Sequence, residues 1–258
     1  MQTLTISNFY AKVLKRSFSL DFYVPDELAE DAYFLVFNDG QILDEVRIAQ
    51  VLKEIEGAGL QAFAVGIHAS DHRLQDYGVS GQPDYKNRGS LAGEYKHFLV
   101  VELYPFIKRI FRFEPTTTRS AIIGFSLSGL SALDIGWAHP ELFSKVGVFS
   151  GSFWWRSRAF SPASPDAHRI MHDRLSRSFY KPGLKFWFQT GTDDESSDRN
   201  NNGIIDSIDD TQDVIRVLES LGYENGKDIA YLEIQGGRHE PSTWANALPN
   251  LIQWIFNQ

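Results

Sequence analysis

Apolar and polar positions along the chain fall into short runs of two periods. Residues 4–10, 17–24 and 33–37 are rich in β-branched and aromatic side chains and predict three strands. The third run ends in Asn38-Asp39-Gly40, a turn signal. Over residues 42–56 the period becomes helical: Ile42, Leu43, Val46, Ala49, Val51, Leu52 and Ile55 share a face, and Gly57 and Gly59 close it. Residues 61–67 are an apolar run, read as a buried strand. Residues 68–92 show no period and hold His68, Asp71, Arg73, Asp76, Tyr77, Tyr85 and Arg88. A long polar loop after a strand is where binding residues collect. A helix resumes over about 91–111, and Pro105 inside it predicts a kink or a division.

The second half keeps the rhythm. A strand over 116–123 leads through a tight turn into a helix at 127–138, and a short strand follows at 146–149. Residues 151–182 break the alternation. They open on Gly-Ser-Phe-Trp-Trp-Arg, turn helical near 166–177, and read as an insertion over the ligand-binding edge of the sheet. A strand at 184–190, an acidic loop, a helix over 211–221, a strand at 229–234 and a final helix complete the pattern. Strand–helix alternation predicts one α/β domain over residues 1–258: a mostly parallel sheet, helices on both faces and added N-terminal strands. In such sheets ligands bind beyond the carboxyl ends of the strands, where the loops at 38–41, 68–90, 124–128, 150–156, 191–209 and 236–241 all fall.

Composition narrows this picture in three places. Cysteine is absent, which removes thiol chemistry and any disulfide framework. The first eight residues lack a basic region followed by an apolar one, and no apolar run approaches the ~18 residues of a membrane span. A cytoplasmic protein is expected. The formal net charge is −8, and residues 191–213 hold eight acids against the single base Arg199. The acidity is therefore local and points to a cation, with no basic stripe for nucleic acid and no membrane-binding segment.

The chemistry centres on Gly124-Phe-Ser126-Leu-Ser-Gly129. An apolar strand stops at a glycine, a serine follows two residues later, and a helix begins at once. This is the form of a nucleophile elbow, with Ser128 where the G-x-S-x-G pattern has its second glycine. Taken alone it is also an ordinary turn of a parallel sheet. A serine needs a base, and the base needs a carboxylate to orient it. His239 follows the last predicted strand. Asp194 follows the strand before it in Gly191-Thr-Asp-Asp, with Glu195 as the alternative acid and Asp193 a poorer one. An oxyanion hole needs two N–H groups. Leu127, just after the serine, and Gln41, in the Asn-Asp-Gly-Gln turn, are the candidates, with Gly40 in reserve. Trp154 and Trp155 are candidates for the substrate pocket. His139 reads as a packing residue. His168 and His172, four apart, could form half a metal site, but no partner carboxylate is evident.

Phe37-Asn-Asp-Gly-Gln41, Gly66-Ile-His68, Glu102-Leu-Tyr-Pro105, the elbow, His139-Pro-Glu-Leu-Phe143 and Gly236-Gly-Arg-His-Glu240 together resemble the putative esterase family of α/β hydrolases. That family is similar to enterochelin esterases, S-formylglutathione hydrolase, feruloyl and acetylxylan esterases and mycolyltransferases. The resemblance runs over nearly the whole chain. It implies an α/β-hydrolase fold, no organic cofactor and a small-molecule ester as substrate. It also implies Ser126 as nucleophile, His239 as base and an acid at 194 or 195, with the oxyanion donors already named.

The acidic stretch carries a second pattern. Asp198, Asn200, Asn202, Gly203, Asp206 and Asp209 follow the EF-hand loop template, with Asp in place of Glu at the last position. The expected calcium ligands are Asp198, Asn200, Asn202, the Ile204 carbonyl, Asp206 and Asp209, in a structural site beside the triad acid. The sequence thus predicts a serine esterase. An acyltransferase with the same triad and a non-catalytic calcium-binding module are the two other readings.

Overall fold

The computed structural model describes residues 1–258. Two N-terminal strands, β1 (Gln2–Ala11) and β2 (Arg16–Val24), pair antiparallel, and β2 pairs antiparallel with β4 (Ala62–Ile67). From there the sheet is parallel: β4 beside β3 (Tyr33–Asn38), then β5 (Ser120–Phe125), β6 (Lys145–Phe149), β7 (Lys185–Asp193) and β8 (Ile229–Arg238). The order is β1-β2-β4-β3-β5-β6-β7-β8. This is the α/β-hydrolase arrangement anticipated from the sequence. Strands β3 to β6 are buried on both faces, which is why they read as unbroken apolar runs.

The helices are α1 (Ile48–Gly57), α2 (Arg73–Asp76), α3 (Ala92–His97), α4 (Tyr104–Phe111), α5 (Leu127–Ala138), α6 (Ile170–Ser176), α7 (Asp206–Ser220) and α8 (Pro241–Phe256). Helices α1 and α8 cover one face through Ile48, Leu52, Leu248, Leu251 and Ile255. Each such side chain contributes about 1.5–3 kcal/mol when fully buried. The other helices pack on the opposite face, with α5 innermost. Every residue of α5 from Leu127 to Trp137 is buried, so it has no polar face to show. Its polar residues instead clamp the 68–92 loop. The Gly78 N–H donates to Ser131 Oγ at 2.7 Å, and the Ser80 N–H to Asp134 at 3.1 Å.

Element boundaries moved in four places. Helix α1 begins at Ile48, because residues 40–47 form a 3₁₀ turn and further turns, ending in a left-handed Arg47. Leu43 and Val46 are buried nonetheless, so apolar spacing alone extended the helix too far. The helix over 91–111 is divided: a π-helical stretch, Phe98–Leu103, separates α3 from α4, and Pro105 sits in the first turn of α4, where a missing N–H costs nothing. Helix α7 starts at Asp206, five residues earlier than expected, which places Asp206 and Asp209 in its first turn. Strands β7 and β8 run on to Asp193 and Arg238, so Asp194 and His239 directly follow strand ends. No helix is long and apolar enough to cross a membrane.

Candidate active site

Ser126 stands between β5 and α5 with φ 56° and ψ −122°, a conformation an L-residue adopts only under strain of about 1–3 kcal/mol. The elbow is forced by close packing. A Cβ on Gly124 would lie 2.2 Å from the Ser128 carbonyl oxygen, so no larger residue fits there. Ser128, the departure from the usual glycine, has a structural role. Its buried hydroxyl donates to the Phe125 carbonyl at 2.9 Å and accepts from the Phe125 N–H at 2.8 Å. The hydroxyl thus ties the residue before Ser126 to the first turn of α5.

Ser126 Oγ lies 2.8 Å from Nε2 of His239 and 3.3 Å from Ser152 Oγ. The imidazole meets the Trp244 ring edge-on, with centroids 5.4 Å apart. Trp244 is fixed in turn by donating its Nε1–H to Ser150 Oγ at 3.1 Å. Although the residue is exposed at the surface, desolvation of its ring holds His239 below the ordinary histidine value of 6.5; Asp194 works against this and Arg73 adds to it.

Of the three acids after β7, Asp194 shares a cavity of about 100 Å³ with His239, Ser150 and Ser152. Both of its carboxylate oxygens are buried, and the Gly191 backbone and the Ser150 hydroxyl are the polar groups that act on them besides His239. One oxygen lies where a Cβ on Gly191 would come within 2.8 Å, so the glycine makes room for the carboxylate. Burial pushes the Asp194 carboxyl up from its ordinary range, and the charge of His239 opposes that shift. Asp193 is exposed at the strand end, and Glu195 is largely exposed at the rim of the same cavity.

Leu127 offers an N–H at the first position of α5, where a helix has no acceptor for it. Gln41 occupies the 3₁₀ turn Gly40–Ile42, whose own hydrogen bonding begins only with the Ile42 N–H to the Asp39 carbonyl. The turn is held from several sides. Asp39, left-handed and buried, receives two bonds from Arg73, at 2.8 and 2.6 Å, and donates its N–H to Tyr77 Oη at 3.1 Å. Asn38 accepts from Tyr95 Oη at 2.7 Å and donates to the Ser128 carbonyl at 3.3 Å. The Gln41 side chain bonds Asp39 and the Ala69 N–H. The sequence reading placed Arg73 and Tyr77 in a binding loop but missed that they hold this turn. It also missed Ser152, for which the Gly-Ser-Phe after β6 was the available signal.

The family model described as Putative esterase matches residues 11–255. The chain belongs to that family. Membership places it among carboxylic ester hydrolases. The chain is 20% identical over 243 residues to the "Uncharacterized protein YbbA" of Bacillus subtilis, covering 91% of this chain and 86% of that one. A 57-residue stretch is 44% identical to the iron(III) enterobactin esterase of Escherichia coli K12, covering 22% of this chain and 14% of that protein. In structure it resembles the enterobactin esterase FES of Shigella flexneri, solved in the presence of enterobactin. The TM-score is 0.78 at 20% identity, over 100% of this chain and 59% of that one. A ferulic acid esterase matches with a TM-score of 0.70 at 15% identity, over 99% and 97% of the two chains. The chain thus spans about three-fifths of the enterobactin esterase structure it matches.

Other expected residues of this esterase fall differently. Trp154 is 40% exposed and lines the active-site cavity. Trp155 does not: it is buried against Gly78, Gly89 and the Arg88 guanidinium, as part of the core. His168 and His172 do not share a helix, since α6 begins at Ile170. His172 is buried, bonds the Asp210 carbonyl at 2.9 Å, and is pushed down to about 3 by burial.

The acidic stretch is not the uncompensated cluster that its sequence suggests. Arg199 pairs with Asp166, Asp206 and Asp210, Arg169 with Asp210 and Asp213, and Arg216 with Asp213. Arg169 comes from the insertion, far away in sequence. Within the loop, Asp198 accepts the N–H groups of Asn202 and Gly203, while the side-chain amides of Asn200 and Asn202 both donate to Asp209, at 2.9 and 2.7 Å. Nowhere do three or more His, Cys, Asp or Glu side chains gather so as to hold a metal ion. Of the residues expected to bind calcium, Asp198, Asn200, Asn202, Asp206 and Asp209 are thus bonded by backbone N–H groups, amides and Arg199, and Ile204 lies in the same loop.

Proposed function

We propose that this esterase cleaves its substrate through Ser126, His239 and Asp194 by way of an acyl-enzyme. The observation that carries the reading is the 2.8 Å contact between Ser126 Oγ and His239 Nε2, with the buried Asp194 carboxylate in the same cavity. Ser126 attacks the ester carbonyl carbon and passes its proton to Nε2. The tetrahedral oxyanion is met by the N–H groups of Leu127 and Gln41. Collapse breaks the bond to the alkoxy oxygen, which leaves as the alcohol with the proton from Nε2. Water then attacks the acyl-enzyme with His239 as base, and the carboxylic acid leaves as Ser126 regains its proton. Asp194 orients the imidazole and stabilises its charged form, as the third member of such triads does. Enterobactin, with which a similar structure was solved, is the first natural ester to try. A fluorophosphonate probe should label the native protein at Ser126, and Ser126→Ala should abolish both labelling and ester hydrolysis. Undiminished turnover in that variant would refute the assignment.

For the 198–209 loop we propose weak calcium binding. The oxygen-bearing residues at the template positions, and the meeting of Asn200, Asn202 and Asp209, support it. A cation would have to displace Arg199 from Asp206 and both amides from Asp209, which predicts a low affinity. Calorimetric titration should show calcium heats that Asp209→Asn removes. Flat heats at millimolar calcium would end this reading.

A further inference from the structure

A second cavity, of about 550 Å³, adjoins the small catalytic one, and the two share Trp154 and Glu195. Its rim carries two half-exposed aromatic rings, Trp154 and Phe160. Its wall includes Arg156, which is only 7% exposed. Of the five N–H donors of a guanidinium, Arg156 uses one, from Nη1 to the Ala167 carbonyl at 2.5 Å. No carboxylate pairs with it. Asp210 and Asp166, whose charges act on it, are already bonded by Arg169 and Arg199. The remaining charges of the cavity are largely occupied. Asp206 faces Arg199, and Asp198 accepts two backbone N–H groups. Glu195 sits towards the catalytic side, and its carboxyl is pushed up by partial burial and by the nearby acids.

A buried cation without a partner is costly and is relieved by an anion brought to it. From this we propose that the cavity is a specificity subsite for an aromatic ester carrying a carboxylate, with Arg156 pairing the anion and Trp154 and Phe160 packing on the ring. The inference rests on the assignment of Ser126 and His239 as the reacting pair, because it is Trp154, on the shared wall, that puts the subsite within reach of them. Arg156 acts here on the substrate and not on the reacting carbonyl. A planar guanidinium suits a carboxylate in a way an ammonium does not.

The test compares matched esters: methyl benzoate, which is neutral, and monomethyl terephthalate and methyl 4-carboxycinnamate, which are anionic and of two lengths. With the Ser126→Ala protein, calorimetry should find at least one anionic ester bound about tenfold or more tightly than methyl benzoate, the scale of a charge-assisted hydrogen-bonded pair. Arg156→Gln in the same background should erase that preference, and Arg156→Lys should keep part of it. With the native protein, the ratio of kcat/KM for the anionic ester to that for methyl benzoate should fall by a similar factor in Arg156→Gln. Equal binding of neutral and anionic esters, or a preference that survives Arg156→Gln, overturns the proposal. The native ligand comparison decides the matter even if a variant fails to fold. Binding to Ser126→Ala does not depend on turnover, so failure of the subsite and failure of the triad assignment are told apart.

Discussion

The two halves of the candidate site are built in different ways. On the serine side every group named is hydrogen-bonded. Ser128 bonds both polar atoms of Phe125, Asn38 bonds the Ser128 carbonyl, and Ser126 already meets His239. On the acid side Asp194 is half-buried with both carboxylate oxygens covered, and the acidic stretch beyond it is balanced by arginines, one of them borrowed from the insertion. One half is held by hydrogen bonds, two of them to residues distant in sequence. The other is held by charge, shared between a local arginine, Arg199, and a distant one, Arg169. The difference is between a turn fixed by hydrogen bonds and a loop fixed by a balance of charges.

That contrast can be broken most sharply at the acids. Asp194→Asn should lower kcat by about 10³–10⁴-fold, the scale of losing a triad carboxylate, whereas Glu195→Gln should change it less than about threefold, as expected of a group outside the reacting set. The reverse order would move the triad acid to Glu195. A smaller effect is expected at Arg73, which secures the turn proposed to supply an oxyanion donor and adds to the depression of the His239 pKa. Arg73→Ala should cost about tenfold in kcat through a looser turn. It should also shift the pH profile. A base whose pKa is lowered stays neutral, and the enzyme active, down to a pH below 6.5. Removing Arg73 raises that pKa, so the acid limb of kcat/KM should move to higher pH. An acid limb that stays in place would sever the link between the turn and the histidine. The serine side is sharpened by Ser128→Ala, which leaves polar atoms of Phe125 short of a buried partner. Chemical denaturation should register a loss of about 1–3 kcal/mol. An unchanged midpoint would mean that the hydroxyl merely fills space.

The same contrast explains what could be read from the sequence. Strand–helix alternation, the elbow and His239 were visible because each depends on short-range patterns: apolar runs, a glycine before a serine, a glycine pair before a histidine. The start of α1 was misjudged because Leu43 and Val46 are buried from a turn and mimic a helical face. Trp155 was misplaced because an aromatic beside the site looks the same in sequence whether it faces inward or outward. The acidic stretch misled for a different reason. Local counting found one base, Arg199, while the fold supplies Arg169 from the insertion. Long-range pairing of charges leaves no periodic trace. Nor did anything local mark Arg73 and Tyr77 as supports of a turn more than thirty residues upstream.

The twisted backbone at Ser126 sets activity against stability at a single residue. Its φ of 56° suits glycine and no other residue well. The chain therefore accepts a local loss so that an oxygen can stand at the apex of the turn. Ser126→Gly would release that strain, while Ser126→Ala would keep it, and under the proposed mechanism neither variant forms an acyl-enzyme. The glycine protein should melt higher than the alanine protein, by the equivalent of about 0.5–1 kcal/mol once the added freedom of its unfolded chain is counted against the relief. Equal melting temperatures would mean that the turn imposes no strain. A higher one would make the inactive glycine enzyme the sturdier fold, with the native serine retained for what it does and not for what it stabilises.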